Sequence, residues 1–294
     1  MASIREIKGR IKSVKNTGQI TKAMQMVAAA KVRKAQERVL AARPYAEALE
    51  AMFKEVAANL GGEDIEEPLL KARAIKTVGL LVITSDKGLA GAYNSNVLRA
   101  SLARINALKA EGYDVKLWLV GTKAVSFYKS LGVPVGKTYT GLPAVPTYSD
   151  AKQIVGELTR AFLTGEVDRV DVAFTRFVSM ITFKVSEMTL LPVTAPLDEK
   201  APATKGIKPA YIFEPSVQEV ISAVLPRYAE TQIYRALLEG AASELASRMM
   251  AMSSATKNAK EMLDRMTMIY NKARQTSITQ EILEVVGGAE AMRG

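Results

Sequence analysis

The two ends of this chain carry the same apolar spacing, and that spacing limits what can lie between them. From Ile7 a residue recurs every three or four positions on one helical face: Ile7, Ile11, Val14, Gly18, Thr21, Gln25, Ala28, Val32, Ala35, Val39, Ala42, Ala46, Leu49, Phe53, Val56 and Leu60. Thirteen of these sixteen positions are apolar, and the 3-4-3-4 step is that of a coiled-coil seam. Pro44 lies off the seam, so a bend is expected there and not a break. A helix of this length cannot bury its stripe alone and needs a partner helix.

The C-terminal segment offers that partner. Val217, Ile221, Val224, Tyr228, Leu238, Ala242, Leu245, Met249, Met252, Ala259, Leu263, Met266, Tyr270 and Ala273 keep the same register. Helices from opposite ends of one chain most simply pair antiparallel and close on the domain between them. Ala and Met along the seam suit close, adaptable packing. The predicted helices run over 3–58 and 217–286, so the second overhangs by about fourteen residues, or ~21 Å at 1.5 Å per residue. Residues beyond about 272 should be unpaired, and there the seam turns polar at Ser277, Gln280 and Glu284.

Composition narrows the chemistry. The chain has no Cys and no His, which removes disulfides, thiol switches and the commonest metal ligand and general base. The 294 residues, 48% hydrophobic and 24% charged, suit a soluble protein with one α/β core plus the helix pair. No apolar run is long enough to span a bilayer, and no signal-peptide core is present. The net charge of +10 sits mainly in residues 1–43, where eleven Lys and Arg face only Glu6 and Glu37. Lys8, Lys12, Lys15, Lys22, Lys31, Arg33, Lys34 and Arg38 fall mostly off the seam, so the first helix presents a basic face to an acidic partner.

Between the helices the periodicity changes. Gly61–Gly62 ends the first helix, and Val78–Thr84 is a continuous apolar run, as in a strand buried on both faces. Strands at 115–120, 135–139, 171–177 and 184–192 alternate with helices at 94–110, 122–131 and 149–163, which argues a small, mostly parallel sheet. The predicted fold class is α+β. It comprises a long antiparallel coiled coil (1–60 and 216–290), an inserted small Rossmann-like α/β domain (70–195) and a linker (196–215).

Two segments imitate ligand loops. Gly132–Thr138 resembles a phosphate loop, but is one residue short and is not followed by a helix. Ser85–Gly91 lies between a strand and a helix, where doubly wound sheets bind ligands, yet lacks G-x-G-x-x-G and reads first as a structural turn. No paired carboxylates suggest acid–base catalysis.

The words Ile11–Thr17, Ile20–Met24 and Met26–Lys31, then Ser85–Gly91 with Tyr93–Asn94, resemble the gamma-subunit family of the rotary proton-translocating ATP synthase. So do Tyr270–Gln275 and Ile278–Ala289, and the match runs in order along the whole chain. Chloroplast-type members of that family carry a Cys-containing regulatory insert. This sequence has no Cys and no room for it, which implies a bacterial-type enzyme. The resemblance implies a non-catalytic rotor shaft without cofactor or metal, inside a ring of three alpha and three beta subunits. The middle domain would rest with the epsilon subunit on the membrane ring of c subunits, at the cytoplasmic face of the bacterial inner membrane, associated only through partners. It implies beta-subunit contacts at Arg274 and Gln275, with Lys22 and Met24 nearby on the other helix. Ile282, Leu283, Val285 and Val286 would form an apolar pivot tip, and Glu214 with Tyr211 would meet the rotor ring. The alternatives are a nucleic-acid-binding coiled coil, weakened by the lack of aromatics on the basic face, and a nucleotide enzyme built on residues 70–195.

Overall fold

The computed structural model describes residues 3–59, 67–193 and 217–292. Ten elements follow in order: α1 (Ile4–Asn59), β1 (Thr77–Ile83), α2 (Tyr93–Ala110), β2 (Asp114–Val120), α3 (Thr122–Lys129), β3 (Val135–Tyr139), α4 (Tyr148–Leu163), β4 (Arg169–Phe177), β5 (Phe183–Leu191) and α5 (Val217–Ala291). They form two compact units, Ala30–Ser247 and Met1–Ala29 with Arg248–Gly294. The expected linker, with Tyr211 and Glu214, lies outside the described residues.

In the unit Ala30–Ser247 one five-stranded sheet has the order β3-β2-β1-β4-β5. The first four strands are mutually parallel and β5 closes the edge antiparallel to β4. The apolar run of β1 becomes the central strand because its side chains alternate between two cores. Val78, Leu80 and Val82 pack with Leu117, Leu119, Val97 and Ile105 beneath α2 and α3. Leu81 and Ile83 join Trp118, Val172, Ile154, Leu158 and Phe162 on the α4 face. Each fully buried aliphatic side chain there stabilises by about 1.5–3 kcal/mol. The polar rim is matched as well: Asp168 Oδ2 accepts from the Lys76 and Thr77 amides at 2.8 and 3.0 Å, and Asp168 pairs with Arg73 at 2.7 Å.

The helix α5 has two apolar faces within this unit. Ile221, Leu225, Ala229, Ile233, Ala236 and Leu237 belong to the α4-side core, while Leu238, Ala242, Leu245 and Ala246 pack on Val32, Ala35 and Val39 of α1. Phe53 of α1 stacks on Tyr228 of α5 with ring centroids 5.2 Å apart. The seam read from the sequence is therefore one face of a helix that also roofs the sheet. Pro44 is exposed and α1 continues through it. The last helix runs to Ala291 and not to about 286, because neither Gly287 nor Gly288 adopts the left-handed conformation that would end it.

Gly121 carries the tightest backbone approach. It has φ 91° after β2, and a Cβ there would lie 2.6 Å from the Thr84 carbonyl oxygen. Gly121→Ala should cost about 3 kcal/mol, from strain plus overlap. Gly165→Ala, at φ 76° with no atom in reach, should cost only about 1–2 kcal/mol. Urea melts of the two variants check the difference; equal losses would show that backbone strain alone matters at Gly121.

Candidate functional site

In the unit Met1–Ala29 with Arg248–Gly294, α1 and α5 pair antiparallel. Gly18 sits against Ala259, where a Cβ on residue 18 would lie 3.4 Å from Ala259 Cβ, and Thr21 Oγ1 lies 2.9 Å from Thr256 Oγ1. Every seam position of α1 from Ile7 to Gln25 is buried or half-buried, as is every seam position of α5 from Met252 to Ala273. Carried along the helices, this register sets Ser3 opposite Arg274. Beyond that point α5 is bare: from Ile278 to Met292 every residue is exposed.

The bare end has two unlike sides. On the line of the old seam, Ser277 Oγ donates to Glu281 Oε1 at 3.3 Å and Gln280 Nε2 to Glu284 Oε1 at 3.0 Å. One residue round the helix lies a new apolar stripe, Ile278, Ile282, Val285, Ala289 and Met292, again in 4-3-4-3 steps. Val285 is 73% exposed and Leu283 66%. Ile282, Leu283, Val285 and Val286 are thus all solvent-facing in the isolated chain. The sequence reading missed Ile278 and Met292, although their spacing could have revealed them.

Arg274 and Gln275 are exposed on α5, and Gln275 borders a shallow dip shared with Lys272, Thr276, Thr279, Gln280 and Leu283. Lys22 is exposed on α1 and donates to Gln25 Oε1 at 3.4 Å, and Met24 is half-buried. The structure does not bring these two pairs together. With Thr21 facing Thr256, Lys22 and Met24 stand level with residues 253–255, about twenty residues or ~30 Å along α5 from Arg274. The expected proximity is corrected by the antiparallel register, which places the start of α1 beside Arg274.

All eleven Lys and Arg of residues 3–43 are exposed, and among the described residues only Arg33 meets a carboxylate, Glu37 at 3.5 Å. That pair is itself solvated and contributes little. The helix therefore leaves its charge facing solvent instead of spending it on its own fold.

The segment Ser85–Gly91 is consumed by internal bonds. The Ser85 amide donates to Asn94 Oδ1 at 3.0 Å, and Ser85 Oγ lies 2.8 Å from the Lys87 carbonyl. Asp86 accepts from the Thr122 amide and hydroxyl at 2.8 and 2.7 Å and from the Gly141 amide at 2.9 Å, tying the ends of three strands together. Partial burial alone would raise the Asp86 pKa, but the bonds from Thr122 and Gly141, helped by Lys87, hold it below the usual carboxylate range. At the ligand crevice of a doubly wound sheet stands α5 instead. A Cβ on Gly240 would lie 3.3 Å from Tyr93 Oη and 3.4 Å from Ile83, and Ser247 Oγ donates to the Ala90 carbonyl at 2.8 Å. The other decoy, Gly132–Thr138, contributes the edge strand β3, where a Cβ on Gly136 would lie 2.9 Å from the Trp118 ring. Among the described residues no cluster of acidic side chains could hold a metal, and no helix is long and apolar enough to cross a membrane.

The chain thus combines a doubly wound domain roofed by one of two terminal helices with a helix pair whose longer member ends in bare apolar surface. The fold is that of chains in the Euglena gracilis mitochondrial ATP synthase (OSCP/F1/c-ring, rotational state 3; TM-score 0.68, 19% identity, 98% of this chain and 94% of that one). It is also that of a chain in the central stalk/c-ring of the Tetrahymena thermophila mitochondrial ATP synthase (TM-score 0.58, 24% identity, 80% and 99%). The sequence model of the family described as ATP synthase matches residues 3–292. The ATP synthase gamma chain of Heliobacterium modesticaldum is 46% identical over 295 residues, covering 99% of this chain and all of that one. That of Synechococcus sp. (strain JA-3-3Ab) is 45% identical over 314 residues, with the same coverage. The chain belongs to the ATP synthase gamma-chain family. The cyanobacterial alignment spans 314 positions against 294 residues here, so that relative carries at least 20 positions this chain lacks.

The Asp86 tie should be visible in stability. A carboxyl whose folded pKa is depressed stabilises above its unfolded value, near 3.9, and loses that contribution as pH falls through the folded value. Asp86→Ala should cost about 1–2 kcal/mol at pH 7. The gap from the parent should shrink in denaturant melts below about pH 4; a gap independent of pH would mean the carboxylate charge is irrelevant.

Proposed function

We propose that this chain is the central rotor shaft of an ATP synthase. Ion flow through a membrane ring of c subunits turns the chain, and the turning shaft drives the beta subunits in sequence through their nucleotide-binding states. The observation that carries this reading is the bare end of α5, an apolar helix that one unit of the fold pairs and then abandons. Such a surface has use only inside a sleeve formed by other subunits, and we assign Ile282, Leu283, Val285 and Val286 to that pivot. Three alpha and three beta subunits surround the shaft, and the epsilon subunit and the c ring hold its foot, with Tyr211 and Glu214 at the ring.

The chain itself does no chemistry in this reading. It lacks His and Cys, and its one loop at a ligand-binding position is spent on Thr122, Gly141 and Asn94. The complex it serves is membrane-associated and the chain peripheral, on the cytoplasmic side. Its exposed cations meet acidic loops of the beta subunits, where charge complementarity guides docking. Arg274 and Gln275 contact a beta-subunit loop at one level, and Lys22 with Met24 make a second contact ~30 Å away along the helix pair.

Reassembly tests the proposal. Mixed with alpha and beta subunits, the chain should enter one large complex by size exclusion and be required for its ATP hydrolysis. Elution of the chain by itself, with the other subunits unchanged, would remove the rotor reading and return the basic helix to nucleic acid, whose affinity would fall steeply with salt. Within an active complex, deleting residues 287–294 should leave assembly intact. Truncation after Ala273 should lower ATP-driven proton pumping by roughly tenfold or more, as expected for loss of a charged hydrogen bond. Effects of Arg274→Ala and Met24→Ala should add, since such separation precludes direct coupling.

A further inference from the structure

Three seam positions of α1 are not apolar, and they are consecutive: Gly18, Thr21 and Gln25, between Val14 and Ala28. Their layers interrupt the apolar seam, and one of them pairs polar groups across it. Gly18 admits Ala259, whose Cβ would lie 3.4 Å from a Cβ on residue 18. At the next layer Thr21 and Thr256 meet hydroxyl to hydroxyl at 2.9 Å, Thr21 being buried and Thr256 half-buried. Thr21 Oγ1 also lies 3.1 Å from the Gly18 carbonyl, and Thr256 Oγ1 lies 2.8 Å from the Met252 carbonyl. Each hydroxyl has one proton to give. Either Thr256 donates to Thr21 and Thr21 to Gly18, or Thr21 donates to Thr256 and Thr256 to Met252. Both arrangements leave every donor bonded. Gln25 is turned to the edge, where it accepts from Lys22 at 3.4 Å.

In the unit formed by the chain ends, the seam layers on either side of these three exchange one apolar side chain for another, so they do not distinguish one register from the next. The two threonines do. If α5 slid by one heptad, about 10 Å, Thr21 would face Leu263 and Thr256 would face Ala28. In the other direction Thr21 would face Met249 and Thr256 would face Val14. In each case two hydroxyls lose each other against apolar side chains, and Gly18 receives Met266 or Met252 in place of Ala259. A buried polar pair at one seam layer sets register in coiled coils by this means.

We infer that the Thr21–Thr256 pair is a register lock for the helix pair of the chain ends: within that unit it fixes the axial position of α5 against α1, and with it the residue near Arg274 at which α5 loses its partner. Thr21 and Thr256 are positioning residues, acting through the height at which Arg274 and the apolar tip stand. The effect on coupling rests on the rotor reading, but the register itself does not.

The absence of Cys makes the lock measurable in the full-length purified chain. Ile11→Cys with Met266→Cys reports the observed register. Ile11→Cys with Ala259→Cys, or with Ala273→Cys, reports a slip of one heptad in either direction. In the parent and in Thr21→Ser/Thr256→Ser only the first pair should form a disulfide. In Thr21→Val/Thr256→Val the slipped pairs should rise roughly tenfold while the melting temperature stays level or increases, because the isosteric valines remove the hydroxyls without opening a cavity. Slipped products in both double variants, or in neither, would overturn the lock. Since the cross-links are read without alpha or beta subunits, their failure is distinct from a failure to assemble.

Discussion

Everything in this molecule depends on one antiparallel contact between the first and last helices. Because the partners come from the two ends of the chain, forming the seam closes a loop of about two hundred residues, an entropic cost that grows only slowly with length. That cost is met in different ways along the helices. In the unit Ala30–Ser247, α5 packs on α1 with one face and on the sheet with another, so its middle is buried on nearly every side. In the unit formed by the chain ends only one face of each helix is covered, and the seam alone holds them. There the side chains shrink to Gly18, Thr21, Ala28 and Ala259, which lets the backbones come close and dispersion replace bulk.

The seam was legible because a 3-4-3-4 step survives over many turns and few other structures use it. The central strand β1 was legible for the opposite reason, an apolar run too short for a second helix and bounded by turns. What sequence could not give was the second face of α5. Ile233, Ala236 and Leu237 fall between the seam residues Tyr228 and Leu238, in a stretch where Arg235 and Glu239 interrupt the apolar pattern, so periodicity there does not say which neighbour buries the helix. The role of Asp86 was equally hidden, since its partners Thr122 and Gly141 are 36 and 55 residues away. At the candidate site the exposed state of Arg274, Gln275 and the tip residues followed from the overhang. The supposed nearness of Lys22 and Met24 to Arg274 did not survive, because the register of an antiparallel pair fixes which residues are level, and family words in a sequence carry no heights.

The inserted domain has a helix standing where doubly wound folds hold their ligands. Its sheet order and its strand–turn–helix at Ser85–Gly91 are those of doubly wound domains that bind at the carboxyl ends of their strands. Here Gly240 of α5 closes that place against Tyr93 and Ile83, and the small side chain is what allows the helix so near. Burial, with the neighbouring Glu244, pushes the Tyr93 hydroxyl above its ordinary pKa. The site has become a socket for a helix. Polar groups that would elsewhere orient a substrate instead join strand ends, loop and helix into one body.

On the proposed rotor reading, a helix pair that transmits force meets conflicting demands. Uniform apolar layers would give the greatest burial but would leave several registers of similar energy, and a shaft whose length could change by a heptad would not deliver a fixed displacement. A seam with many polar layers would hold one register and lose cohesion. The observed compromise concentrates the polar layers in three consecutive steps, Gly18 to Gln25, and keeps Val14, Ile11 and Ile7 apolar beyond them. Positional information then comes from one hydroxyl pair, while cohesion comes from the layers on either side. Past Arg274 the apolar stripe moves one residue round the helix, so the surface left bare is not a continuation of the seam and cannot be covered by sliding α1 along it. The chain thus separates the face that holds itself together from the face that it offers to others.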